Sequence, residues 1–256
     1  MLDYAAFPEQ RQDLIRQILR DQGRVICADL ARQMQVSEHT VRRDLHELSK
    51  EGICKKVYGG AVLQLADAQT FAIRKQHDQP SKNMIAQKCA SLIKNESCIF
   101  IDAGTTNLAM TLALPETFTL TAVTNAPDIA ASLLKHPNID VIMLGGRIEK
   151  NSGGCVGSTA LAQLKNILFD QAFIGGCAMS PESGLTGFNF DDCEFKKAVI
   201  AQSSQTIVGL TAEKIPAIAR FSVARCEDID ILIVEEQLDK DFYNAFTAEN
   251  VTILTI

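Results

Sequence analysis

Within the first fifty residues, apolar positions recur at helical spacing. Leu14, Ile15, Ile18 and Leu19 follow Pro8 on one face and stop at Gly23, which predicts a helix over about 9–22 closed by a glycine. Val25, Ile26, Leu30, Ala31 and Met34 predict a short second helix, entered near Cys27 and ended before Val36. Ser37 then stands as an N-cap, and Val41, Leu45 and Leu48 fall at i, i+4 and i+7 of a third helix running toward Gly52. Only Gln35 and Val36 separate the second helix from the third, the tight connection of a helix-turn-helix, with Val36 filling the angle. Residues 53–63 read as two short strands around Gly59-Gly60, a hairpin wing.

Farther along, the pattern changes. Short β-branched or aliphatic runs at 98–101, 120–123, 141–144, 171–174, 206–209, 231–234 and 251–255 alternate with amphipathic stretches of helix length, among them 85–94, 128–135 and 192–203. Such alternation predicts an α/β domain with a mostly parallel sheet flanked by helices. Residues 64–79 are polar with isolated apolar positions and end at Pro80, as an interdomain connector does. The expected organisation is a winged helix-turn-helix over 1–63, a linker over 64–80 and a larger α/β domain over 81–256.

A length of 256 residues suits one small and one ordinary domain, and 46% hydrophobic with 22% charged residues is an average globular composition. No apolar run approaches the ~18 residues that would span a bilayer, and the first ten residues lack a signal pattern, so the expectation is a cytoplasmic protein with no membrane partner. The eight cysteines are dispersed with no C-x-x-C pair, and His39, His46, His77 and His136 offer no metal-ligand spacing. Reduced thiols, no metal and no cofactor are expected. The net charge of −6 is unevenly spread: residues 1–60 hold ten Lys and Arg against nine Asp and Glu, the remainder fifteen against twenty-two. An acidic body carrying a near-neutral segment with clustered bases fits DNA binding by one face.

That face is the polar side of the third helix. It presents Ser37, Glu38, His39, Thr40, Arg42, Arg43 and His46 at a helix start, where the dipole favours phosphate and the first turn can enter a major groove. Arg42 and Arg43 suit either a guanine edge or a phosphate, and His39 and Thr40 suit base reading. Lys55, Lys56 and Tyr58 of the wing would lie beside the DNA backbone or the minor groove. The run over 11–63, with QDLIRQILRDQGRV, LARQMQVSEHTVRRDLHELSKEGI and KKVYGGAVL, resembles the N-terminus of the DeoR family of bacterial sugar-metabolism regulators, and Val36 to Leu45 carries the family string V-S-x-x-T-V-R-R-D-L. Tyr58 departs from it, standing where many members have His before the Gly-Gly.

In open α/β sheets ligands bind at the carboxyl ends of the strands. There the chain carries Asp102-Ala103-Gly104-Thr105-Thr106-Asn107, then Thr124-Asn125-Ala126, Gly145-Gly146-Arg147 and Gly175-Gly176. Backbone N–H groups, hydroxyls and a helix start suit a phosphate, with Arg147, Lys196 and Lys214 as available cations. The strings I-D-A-G-T-T-N, V-T-N-A, L-G-G, G-G-C-V-G-S, G-L-T and E-F-K-K, spread over 81–256, resemble the DeoR sensor domain, which is similar in fold to ribose-5-phosphate isomerase and takes phosphorylated sugars or related intermediates. The resemblance implies a phosphate and hydroxyl loop of Asp102, Gly104, Thr105 and Thr106, with Asn125, Gly145, Gly146, Gly184 and Lys196 lining the rest. Where the family commonly has Asp-x-Ser-Lys-Phe, residues 210–215 read LTAEKI, keeping the cation at Lys214 but not its acidic and aromatic neighbours.

Two other readings compete. A working sugar-phosphate isomerase needs a carboxylate base, and the loop Gly175-Gly176-Cys177-Ala178-Met179 supplies none. A purely oligomerising second domain has no use for Asp-x-Gly-Thr-Thr at a strand end. The expectation is a regulator, a repressor by the family's usual mode, that binds double-stranded operator DNA as a homo-oligomer (dimer or tetramer) and responds to a small phosphorylated metabolite.

Overall fold

The computed structural model describes residues 7–65 and 70–256, so part of the expected connector lies outside the described residues. The chain starts with α1 (Pro8–Gln22), β1 (Arg24–Ile26), α2 (Cys27–Met34), α3 (Glu38–Lys50), β2 (Cys54–Val57) and β3 (Gly60–Leu63). Proline at the first turn opens α1, and Gly23 closes it in the left-handed region at φ 72°. Ser37 caps α3, its Oγ accepting from the Thr40 N–H at 3.1 Å. Ile15, Leu19, Leu30, Met34, Val41, Leu45 and Leu48 form one core, and Val36 packs against it from the turn. The sheet has three strands in the order β1-β3-β2. The strand β1 falls where the sequence pattern suggested the approach to the second helix.

Next come α4 (Phe71–Gln76), α5 (Gln79–Ser91), β4 (Cys98–Ile101), α6 (Thr105–Leu112), β5 (Leu120–Thr124), α7 (Pro127–Leu133), β6 (Ile139–Met143), β7 (Arg147–Glu149), β8 (Gly154–Val156) and α8 (Ser158–Leu164). They are followed by β9 (Gln171–Ile174), β10 (Ala178–Ser180), β11 (Gly184–Gly187), α9 (Phe190–Ile200), β12 (Thr206–Gly209), β13 (Phe221–Ala224), β14 (Ile231–Val234), α10 (Lys240–Ala248) and β15 (Thr252–Thr255). Seven strands make one parallel sheet in the order β15-β14-β12-β9-β4-β5-β6. Its two faces are both covered, and the strands alternate between them. Ile99, Ile101, Ile207 and Ile233 join Ile85, Met110 and Ile129 in one core. Phe100, Val208, Leu232 and Val234 join Phe195, Val199 and Phe246 in the other.

From β4 the chain steps outward to β5 and β6, then returns to β9 on the other side of β4. The β4–β9 junction is thus a topological switch point, where the two following loops part and leave a crevice. Beside it a smaller antiparallel sheet, β10-β11-β13, and the hairpin β7-β8 complete the domain. The short helix α4 stands in what the sequence pattern suggested was linker.

Candidate DNA interface and ligand cleft

The candidate DNA-binding surface is built on α3. One face is buried, and its polar member Asp44 pairs with Arg11 of α1, Nε to Oδ2 at 2.7 Å and Nη2 to Oδ1 at 3.1 Å, both residues almost fully enclosed. This pair fixes the angle at which α3 is presented. The opposite face exposes His39, Arg42, Arg43 and His46. Ser37 and Thr40 join their hydroxyls at 2.9 Å while capping the helix. Arg42 leans back on Glu38 at 3.0 Å and, with Lys56 and Tyr58, lines the groove between α3 and the wing. The two wing lysines point apart: Lys56 Nζ lies 3.4 Å from His46 of α3, whereas Lys55 Nζ reaches Ser183 of the larger domain at 3.5 Å. Tyr58 stands fully exposed at the hairpin tip.

The crevice between β4 and β9 opens as a cleft at the carboxyl ends of the strands, where ligands of open α/β sheets bind. Gly104, Thr105, Thr106 and Asn107 line it from the start of α6, where no side chain caps the helix, so the N–H groups of the first turn and the helix dipole face any ligand there. Within the described residues neither the Thr105 nor the Thr106 hydroxyl has a hydrogen-bond partner. Asn107 holds the loop shut behind them, donating to Asp102 O at 2.9 Å and to Phe173 O at 3.0 Å.

Under the floor is a buried charge cluster. Lys196 Nζ contacts Asp102 Oδ2 at 3.2 Å, Asp192 Oδ2 at 2.9 Å and Gly175 O at 3.0 Å, which engages all three of its donors. Asp102 Oδ2 also accepts the Gly175 N–H at 2.8 Å and so ties β4 to the loop after β9. Burial pushes the Asp102 carboxyl up to about 6 against the pull of Lys196, while Asp102 and Asp192 hold the Lys196 ammonium above its ordinary value despite its burial. Oδ1 of Asp102 and Oδ1 of Asp192 have no partner, and Asp192 lines the cleft beside Asn189. Both orphan oxygens are buried, and of the two carboxylates only Asp192 belongs to the wall of the cleft.

The outer end gathers cations. Arg74 of α4, Lys82 of α5 and Lys214 converge on an outer chamber that also includes His77, Cys177, Phe188 and Glu213. Arg74 bonds to Asn151 O at 2.6 Å, and Lys82 donates to the carbonyls of Arg74 (2.7 Å) and His77. Lys214 Nζ has one long contact, 3.4 Å to Gly176 O. Burial, followed by the Arg74 charge, lowers its ammonium to about 8.

Asp102, Gly104, Thr105, Thr106, Lys196 and Lys214 therefore come together at or beneath the cleft, whereas five other expected residues stand elsewhere. Asn125 is fully buried and serves as a brace, accepting from Ala103 N at 3.2 Å and donating to Cys155 O at 3.0 Å. Gly145 is bonded by Gln163 of α8, and Gly146 adjoins Val156 and Ala160. Arg147 is exposed and pairs with Asp191 at 2.6 Å. Gly184, at φ 62°, faces Ala224 O across the small sheet, where a Cβ would approach to 2.0 Å; close strand packing demands this glycine. Arg74, Lys82, Asn189 and Asp192 were not anticipated, and Asn107 was read only as part of the loop that follows β4. Arg74 sits in the expected linker, and Lys82 lies between that linker and the helix expected over 85–94.

All eight cysteines are free thiols, and among the described residues no cluster of His, Cys, Asp and Glu could hold a metal and no helix is long and apolar enough to cross a membrane.

Residues 11–65 match the DeoR-like helix-turn-helix domain, and residues 77–236 match the DeoR C-terminal sensor domain. The chain belongs to the DeoR family. The HTH-type transcriptional regulator GolR of Listeria innocua is 33% identical over 94% of this chain and 95% of its own. The glycerol-3-phosphate regulon repressor of Escherichia coli is 28% identical over 88% and 90%. Among solved structures, ribose 5-phosphate isomerase A of Methanocaldococcus jannaschii is similar over 54% of this chain and 53% of its own, with 15% identity and a TM-score of 0.39. The DeoR-family chain is a DNA-binding transcriptional regulator, not an enzyme.

Proposed function

We propose that this DeoR-family regulator represses a carbohydrate-metabolism operon in the cytoplasm and that a phosphorylated sugar or closely related metabolite, bound in the β4–β9 cleft, controls its grip on operator DNA. The observation that carries the reading is the polarity of the cleft. The uncapped start of α6, two free threonine hydroxyls and the cations Arg74, Lys82 and Lys214 suit a phosphate at one end. The polar groups of Asn151, Ser152, Asn189 and Asp192 in the lining suit ligand hydroxyls. Relatives named as repressors of the glycerol-3-phosphate regulon and of the aga operon favour a carbohydrate effector. A purely oligomerising domain would not need such a cleft.

On the DNA side, His39, Thr40, Arg42 and Arg43 would reach base edges or phosphates from α3, and Lys56 and Tyr58 would follow the backbone from the wing. A homo-oligomer places two such helices on a two-fold operator.

The test is thermal stability of the purified full chain against a panel of sugar phosphates. A true effector at one hundred times its dissociation constant adds about 2.7 kcal/mol. The same compound should change operator affinity, and Thr105→Val should abolish both effects. A panel without any stabilising compound would reject the phosphorylated effector. Asp102→Ala is the poorer probe, because it strips a buried ammonium of one partner and destabilises the domain whatever the ligand.

A further inference from the structure

The outer chamber of the cleft is closed on one side by a residue from the DNA-binding end of the chain. Leu65, just past β3, lines it beside His77, Lys82 and Lys214. Leu65 packs with Ala178, Ala217 and Ala219 in a small apolar cluster, and two further members, Cys177 and Phe188, line the cleft and its outer chamber alike. One cluster thus touches the ligand space and the trailing end of the helix-turn-helix domain.

A second connection starts at Lys214 itself. Residues 215–218 run as a strap from this lysine to the DNA-binding domain. The Leu65 N–H donates to Ile218 O at 3.0 Å, and the Ile218 N–H donates to Leu63 O at 3.0 Å. On the sensor side the Ala217 N–H donates to Met179 O at 3.1 Å. Pro216 rests against Gly23 at the end of α1, so closely that a Cβ on Gly23 would lie 2.5 Å from Pro216 O. Four residues bonded into both domains leave little slack, and a packed segment of this kind moves between discrete arrangements rather than yielding gradually.

We propose that the outer chamber holds the anionic group of the effector as a site shared by the two domains, with Leu65 as part of its wall, and that strap 215–218 carries its occupancy to β3 and to the end of α1. The inference rests on the effector-controlled reading above. The anionic class follows from Arg74, Lys82 and Lys214, set against Glu213 in the lining and Asp78 beside Lys82. An anion drawn to Lys214 pulls on the turn Ala212–Lys214, and the strap continues directly from that turn.

Amide hydrogen exchange of the full chain, with and without excess inorganic phosphate as the probe, separates the two layers of the inference. Thr105 and Thr106 amides report occupancy, and Leu65 and Ile218 amides report the junction. Phosphate is expected to slow exchange at the first pair and to change it about tenfold at the second. Leu65→Ala is expected to keep the response at Thr105 and Thr106 and lose it at Ile218, and Lys214→Met to lose the junction response. A response confined to Thr105 and Thr106 in the unsubstituted protein overturns the coupling and leaves the anion site standing. No response at either pair overturns both.

Discussion

Asp44 shows how a single residue sets the placement of α3 against α1. It lies on the face of α3 that carries Val41, Leu45 and Leu48, and a charge there survives only because Arg11 meets it with two hydrogen bonds. Asp44→Ala removes the carboxylate of a buried ion pair, and losing one member of such a pair costs about 3–5 kcal/mol. Urea unfolding should show that loss in the helix-turn-helix transition, and a change below about 0.5 kcal/mol, the scatter typical of surface sites, would mean the pair is dispensable. Lys214 yields a pH prediction. Its ammonium is lowered from 10.5 to about 8. Below pH 8 the amine is charged in both folded and unfolded chains and its burial costs stability, a cost relieved as pH rises from about 8 to 10.5. An anionic ligand favours the charged amine, so effector affinity should fall by up to about tenfold per pH unit above 8. Lys214→Arg should flatten that alkaline limb in calorimetric titrations; an unchanged limb would show that Lys214 does not meet the ligand.

At the scale of elements, the wing assigns different work to neighbouring lysines. Strand alternation sends Lys56 toward α3 and Lys55 toward Ser183. Removing one phosphate-binding cation should lower the log–log salt slope of operator binding by about 0.9, so Lys56→Ala should reduce the slope and Lys55→Ala should leave it. Equal slopes for the two variants would contradict this division. The sequence showed both lysines but not their split, because the partner of Lys55 lies 128 positions away. The same rule separates the legible elements from the hidden ones. Helices α1 to α3 and the seven parallel strands could be read because local periodicity and apolar runs specify them. Strand β1 and the small sheet β10-β11-β13 escaped because stretches such as Ala178–Ser180 and Gly184–Gly187 carry no unbroken β-branched or aliphatic run. The loop after β4 announced itself through Gly104-Thr105-Thr106, whereas Arg74 and Lys82 enter the cleft only once α4 and α5 fold back over α6. Lys196 was identified as a site cation, yet its three donors are spent on Asp102, Asp192 and Gly175, which only the fold reveals.

At the scale of the whole molecule, the two domains are joined by few contacts. Besides the strap, Arg24 of β1 stacks over the Phe242 ring at 3.9 Å and pairs with Asp241 at 3.2 Å and Asp239 at 3.6 Å. Exposed ion pairs contribute about 0–1 kcal/mol and a cation–π contact about 0.5–1 kcal/mol, so this tether is weak enough to open during function yet strong enough to bias domain placement. Such a junction allows the domains to melt separately while still exchanging ligand information. A sensor ligand raises the melting point of the helix-turn-helix domain only to the extent that the junction couples them. With the effector present, calorimetry of the full chain should show a large upward shift of the sensor transition and a smaller one of the helix-turn-helix transition. Arg24→Ala, which touches neither the cleft nor the recognition face, should preserve the first shift and diminish the second. A second shift that survives intact would leave the strap as the sole route, and one absent even from the unsubstituted protein would mean that occupancy of the cleft never reaches the DNA-binding domain through these contacts.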